Sequence, residues 1–138
     1  VKLCREYNNA FVGIERNGEG ATVVKRMREL GYGHRMYWAD YERDEPKVPG
    51  WLTGPKNRPV MLAELEEATR NGGVAVLCDD ALKEMRSFIR DDRGHPVHAE
   101  GHYDDHVMAL AIAYQMRRMA KWGSTKTTRL EYEAGGAR

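Results

Sequence analysis

At 138 residues the chain has room for one domain of ordinary size and not for two. Hydrophobic residues make up 41% and charged residues 31%, the balance of a globular domain with a solvated surface, and no apolar run approaches the roughly 20 residues that span a bilayer. Lys and Arg number 22 against 21 Asp and Glu, so the net charge of +1 gives no global signal for nucleic acid and any basic footprint is local.

Along the chain, Ala10, Phe11, Val12 and Ile14 form a short apolar run that reads as a buried strand ending at Glu15. Arg16 to Gly20 is turn chemistry. From Thr22 to Leu30 the apolar residues Val23, Val24, Met27 and Leu30 have helical spacing, with Lys25, Arg26 and Arg28 opposite and Gly31 placed to end the helix. A short strand is expected around Met36, Tyr37 and Trp38, then a loop from Glu42 to Pro55. Asn57 and Pro59 open a second helix with Met61, Leu62, Leu65 and Ala68 inward, stopped by Asn71, Gly72 and Gly73. Val74 to Cys78 reads as another buried strand, and Asp79 and Asp80 as the start of a short helix carrying Ala81, Leu82 and Met85. Phe88 to Arg90 and Pro96 to Ala99 suit a hairpin. A last helix follows Asp104 and Asp105 and runs to about Ala120 or Trp122, and residues 123–138 lack periodicity and read as a disordered tail or linker. Strands alternating with helices predict an α/β fold.

Cys4 and Cys78 have no CxxC partner and read as two buried thiols in a reducing compartment. The first residues lack the apolar core of a signal peptide, so a cytoplasmic location is expected. The chain starts without Met and within an element, as a truncated fragment would.

Chemistry concentrates at Asp104 and Asp105. One Asp suffices to cap a helix, and a second charge beside a buried helix is costly unless a cation sits against it. Hard cations such as Mg²⁺ take oxygen ligands. Glu15, at the carboxyl end of a strand, lies where open α/β sheets place their sites. If the three carboxylates meet, they form the donor set of two-metal phosphoryl chemistry, with Mg²⁺ or Mn²⁺ as the two ions. A rival reading starts from His95, His98, His102 and His106, which with the acids suit Zn²⁺. His95 and His98, three apart on a strand, point to opposite faces, which leaves His102 as a residue able to orient a carboxylate or water. For phosphate contact the candidates are Lys25, Arg26, Arg28, Lys56 and Arg58, then Arg117, Arg118 and Lys121, the last three equally suited to a helix C-terminus. Trp38 and Trp51 are expected to pack.

The order of these pieces resembles the C-terminal nuclease domain of the large terminase subunit of tailed phages. The resemblance spans about Asn8 to Arg118. It is carried by the strand Val12 to Gly18, by Gly50 to Thr53 leading into Asn57 to Leu62, by Val74 to Cys78, by Leu82 to Phe88, and by Gly101 to Ala111. It implies an RNase H-like mixed sheet flanked by helices over residues 1–122, incomplete at its N-terminal strands. It further implies a metal-dependent endonuclease that cuts concatemeric double-stranded DNA during genome packaging in a bacterial host. Glu15 then matches the second acidic ligand, and Asp104 with Asp105 the third acidic site. An ATPase motor domain, a terminase small subunit and a portal are the implied partners, with no membrane. The first acidic ligand of such domains is an Asp on an opening strand ahead of this segment, and no GxxxxGK[ST] motif stands in the chain. The alternative expectation is a catalytically silent DNA-binding or assembly remnant of a prophage terminase.

Overall fold

The computed structural model describes residues 1–39 and 48–120. The expected tail, Lys121, Trp122 and the first part of the Glu42–Pro55 loop lie outside the described residues. The elements run in the order α1 (Lys2–Glu6), α2 (Gly20–Glu29), a 3₁₀ turn (Gly33–Arg35), β1 (Trp38–Ala39), β2 (Val48–Pro49), α3 (Arg58–Arg70), α4 (Asp79–Arg86), β3 (Phe88–Arg90), β4 (Pro96–His98) and α5 (Asp105–Met116). The fold is mixed α/β. Among the described residues no helix is long and apolar enough to cross a membrane.

The apolar run before Glu15 separates into two faces. Val12 and Ile14 pack on a cluster built by Val24 and Met27 of α2 with Tyr32 and Met36. Gly13 and Glu15, at the alternate positions of an extended chain, face α5. This segment runs parallel to its neighbours, bridging Val12 to Met36 and Glu15 to Trp51. The bonds are Val12 N to Arg35 O (2.9 Å), Tyr37 N to Val12 O (2.8 Å), Trp51 N to Ile14 O (2.8 Å) and Arg16 N to Trp51 O (2.7 Å). β1 and β2 pair antiparallel beside it, and β3 and β4 form the separate hairpin that the turn at Asp91–Gly94 predicts.

The larger core lies between α3 and α5. Met61, Leu62, Leu65 and Ala68 are the buried face of α3, as their spacing predicts. Val107, Met108, Ala111, Ile112 and Met116 of α5 meet them, with Tyr37 and Trp51 stacked against the same cluster at 5.3 Å between rings. Both Trp38 and Trp51 therefore pack, as expected.

Four local expectations are corrected. α5 ends at Met116, short of the expected Ala120 or Trp122, and the chain continues in turns. Val74 to Cys78 forms no ladder: Val74 and Val76 are half-buried while Leu77 is 93% exposed, so the alternation of a strand is present without a pairing partner among the described residues. Cys78 is exposed and Cys4 half-buried, so neither is a buried thiol. On α2, only Val24 and Met27 are buried, and Val23 and Leu30 are about half exposed, because a single cluster covers one narrow stripe of that helix.

Candidate functional site

Glu15, Asp104 and Asp105 line one hollow of about 250 Å³, together with Gly13, Thr53, Arg58 and the α5 residues Met108, Ala109 and Ile112. Each wall has a local cause. Glu15 is held where α2 begins, because Gly20 lets that helix start against the Glu15 carbonyl; a Cβ there would lie 1.7 Å from the oxygen. Gly13 forms the floor, where a Cβ would lie 1.9 Å from the Met116 sulfur. Thr53 is fixed by two asparagines. Asn17 accepts from Thr53 N (3.1 Å) and donates to Thr53 O (2.8 Å). Asn57 accepts from Gly54 N (2.7 Å) and donates to Leu52 O (2.8 Å). Asn57 holds the N-cap position of α3 but spends its side chain on this loop instead of on the helix. The Thr53 hydroxyl is buried in the wall with no hydrogen-bond partner among the described residues.

Asp104 is the N-cap residue of α5, yet its side chain caps nothing. Its carboxylate is engaged by Arg58, whose other terminal nitrogen donates to Pro96 O (3.3 Å). Both partners are about a quarter exposed or less. The cap of α5 comes from α4. Glu84 Oε2 accepts from His106 N (2.8 Å) and Val107 N (3.1 Å), and Glu84 Oε1 lies 2.6 Å from His106 Nδ1. Burial pushes the Glu84 carboxyl upward, but the hydrogen bond from His106 and the two backbone N–H groups outweigh it and hold the group below the ordinary carboxylate value. The same contact raises His106, through its hydrogen bond to Glu84 and then the Glu84 charge.

The sequence candidates separate accordingly. Glu15, Asp104, Asp105 and Arg58 are brought together. His102 is exposed and is not among the lining residues; its backbone N–H donates to Ala99 O (3.1 Å). Lys25, Arg26 and Arg28 are exposed on α2, where Arg26 pairs with Glu29 (3.0 Å) and Arg28 lies over the Trp38 ring (5.3 Å). Lys56 is exposed beside the Thr53 loop, and Arg117 folds back over Tyr114. Glu84, Thr53 and Asn17 received no role from sequence. A signal for Glu84 existed: Ala81, Glu84 and Met85 fall on one helical face, so a carboxylate sits in the stripe that meets α5.

Among the described residues, no three Asp, Glu, His or Cys side chains converge tightly enough to hold one ion. The donor chemistry of the hollow is nonetheless that of a hard cation: three carboxylates and an orphaned hydroxyl. Three formal negative charges against one guanidinium leave an excess of two, the charge of a single divalent ion. A larger hollow of about 470 Å³ between α3, α4 and the hairpin is mainly apolar, lined by Leu62, Leu65, Met85, Phe88 and Val107, and holds no comparable donor set. Comparison with protein-family models, with curated proteins and with solved structures returns no match to this chain.

Proposed function

We propose that the chain is the metal-dependent endonuclease domain of a phage or prophage terminase large subunit, with an RNase H-like fold. The observation that carries this reading is the meeting of Glu15 with Asp104 and Asp105 in one hollow, from opposite ends of the sequence. Acidic oxygens so gathered repel one another, and a divalent cation relieves that repulsion. Glu15, Asp104 and Asp105 are the residues to hold Mg²⁺ or Mn²⁺. The charge balance suits one ion, and a second would require acidic oxygens beyond these. Such ions, when bound, activate water and stabilise the leaving oxygen of a phosphodiester.

The chain's own groups supply the rest. Thr53 offers a fixed hydroxyl at the wall. Arg58, once Asp104 is engaged elsewhere, presents a planar fork suited to phosphate. Lys56 and the exposed face of Lys25, Arg26 and Arg28 supply sequence-independent contact to double-stranded DNA. A motor ATPase, a terminase small subunit and a portal are the proposed assembly partners, in the cytoplasm of a bacterial host.

A second reading, a catalytically silent DNA-binding or assembly module, is favoured by the engagement of Asp104 by Arg58 and by the absence of a converged three-ligand group among the described residues. Plasmid nicking in Mn²⁺, with EDTA and Asp104→Ala controls, separates the two. Metal-dependent nicking lost in the variant supports the nuclease. DNA retention without any nicking, unchanged by Mn²⁺, supports the silent module.

A further inference from the structure

Glu84 stands outside the hollow, yet it governs how the hollow's two aspartates are presented. A helix N-terminus leaves its first N–H groups without intrahelical partners, and a residue in the position of Asp104 ordinarily turns its own carboxylate back to accept one of them. In α5 those donors are instead taken by one carboxylate from the preceding helix. Glu84 Oε2 accepts from His106 N and Val107 N, while Oε1 contacts the His106 ring. The Glu84 side chain is only 13% exposed, and α4 packs against α5. Negative charge at a helix N-terminus is favoured by the dipole, and the His106 ring faces the second oxygen, so the arrangement satisfies every group it uses.

We infer that Glu84 is the positioning residue of this site: a cap delivered from a neighbouring helix, which fixes the first turn of α5 and releases Asp104 and Asp105 from capping it, so that Asp104 turns to Arg58 at the hollow and can exchange that partner for a divalent cation. The inference rests on the metal-site reading of the hollow. Were Asp104 to cap its own helix, its oxygen would point to the N–H groups of the first turn and away from Glu15. With Glu84 in that role, Asp104 turns toward Arg58 and the hollow. Removing Glu84 leaves the His106 and Val107 N–H groups without their acceptor, and Asp104, at the N-cap position, is the residue that would turn back to them, at which the donor set loses a member.

The test compares Mn²⁺ affinity of the whole chain with that of Glu84→Ala and Glu84→Gln, by electron paramagnetic resonance of free Mn²⁺, alongside amide hydrogen exchange at His106 and Val107. Glutamine keeps a carbonyl oxygen able to accept from both N–H groups. The expected result is a Kd raised about tenfold in Glu84→Ala, the scale on which supporting groups act on metal sites, and restored to within a few fold in Glu84→Gln. A Glu84→Ala protein that melts lower but binds Mn²⁺ as tightly as the parent would overturn the inference, since Glu84 would then be a stabilising cap alone. Should the parent chain bind no Mn²⁺, the metal reading fails and the positioning role fails with it; protection lost at His106 and Val107 in Glu84→Ala then marks Glu84 as a stabilising cap alone.

Discussion

Two acidic doublets open two helices in this protein, and they have different fates. Asp79 and Asp80 are the first residues of α4; Asp104 and Asp105 open α5. In sequence each is a pair of carboxylates before apolar residues. In the folded chain Asp80 is answered within its own helix by Lys83 at 2.8 Å, with both side chains mostly exposed. The hydrogen bond from Lys83, and then its charge, lower the Asp80 carboxyl. Asp104 is only 21% exposed and is answered by Arg58, which lies far from it in sequence, while Glu15 closes in from a strand-like segment further still. A doublet of this kind marks a helix start. What turns one into a candidate site is the set of distant groups the fold brings against it.

The sharpest way to break this comparison is to neutralise each doublet in turn. Asp104→Ala is expected to abolish any Mn²⁺-induced rise in melting temperature and any metal-dependent nicking, whereas Asp80→Ala leaves both intact. Equal loss in the two variants, read by thermal melts with and without Mn²⁺, would erase the distinction.

A smaller effect separates the members of the hollow from one another. Glu15 has no side-chain hydrogen bond or ion pair among the described residues, so Glu15→Gln removes only like-charge repulsion and leaves the metal-free melting temperature unchanged or raised. Asp104→Asn weakens the contact that holds a partly buried guanidinium, at a cost of about 1–2 kcal/mol after allowance for its residual exposure. For a chain of this length that is a fall of roughly 3–8 °C. Calorimetry of the two variants without metal, in the same buffer, gives the sign directly.

The smallest expected effect is a pH profile that only α5 and its cap should show. Glu84 is lowered from its ordinary 4.5, so its contribution is present above that value and is lost as pH falls through its folded value. His106 is raised from its ordinary 6.5, so its contribution is complete below pH 6.5 and is lost as pH rises through its folded value. Stability from the pair is therefore greatest between these limits and declines on the alkaline side of 6.5. His106→Ala should flatten that alkaline limb in thermal melts, and an unchanged limb would assign it to another group.

Helices were the most legible part of the sequence. The inward face of α3 was readable residue by residue from Met61, Leu62, Leu65 and Ala68, because a 3.6-residue period is a local property. The hairpin of β3 and β4 was readable from its turn. Strands fared less well, since a strand is defined by its neighbour: Val74 to Cys78 carries the alternation without a ladder, while Val12 to Glu15 found parallel neighbours at Met36 and Trp51 that no spacing rule names. In the candidate site the acids were readable as residue types. Their meeting was not, and neither was the exchange of roles by which Asn57 and Asp104 decline to cap their own helices and Glu84 caps a helix that is not its own.

The floor of the hollow carries one more consequence. At Gly13 the backbone lies so close to Met116 that a single methyl group has no room. The Met116 thioether occupies the place that a side chain at position 13 would take, so α5 lays its side chains directly on bare main chain there. An alanine at this position would first displace the Met116 thioether, the far end of a flexible side chain, and would crowd the Ile112 methyl group. The floor of the hollow is closed by a residue that carries no side chain of its own.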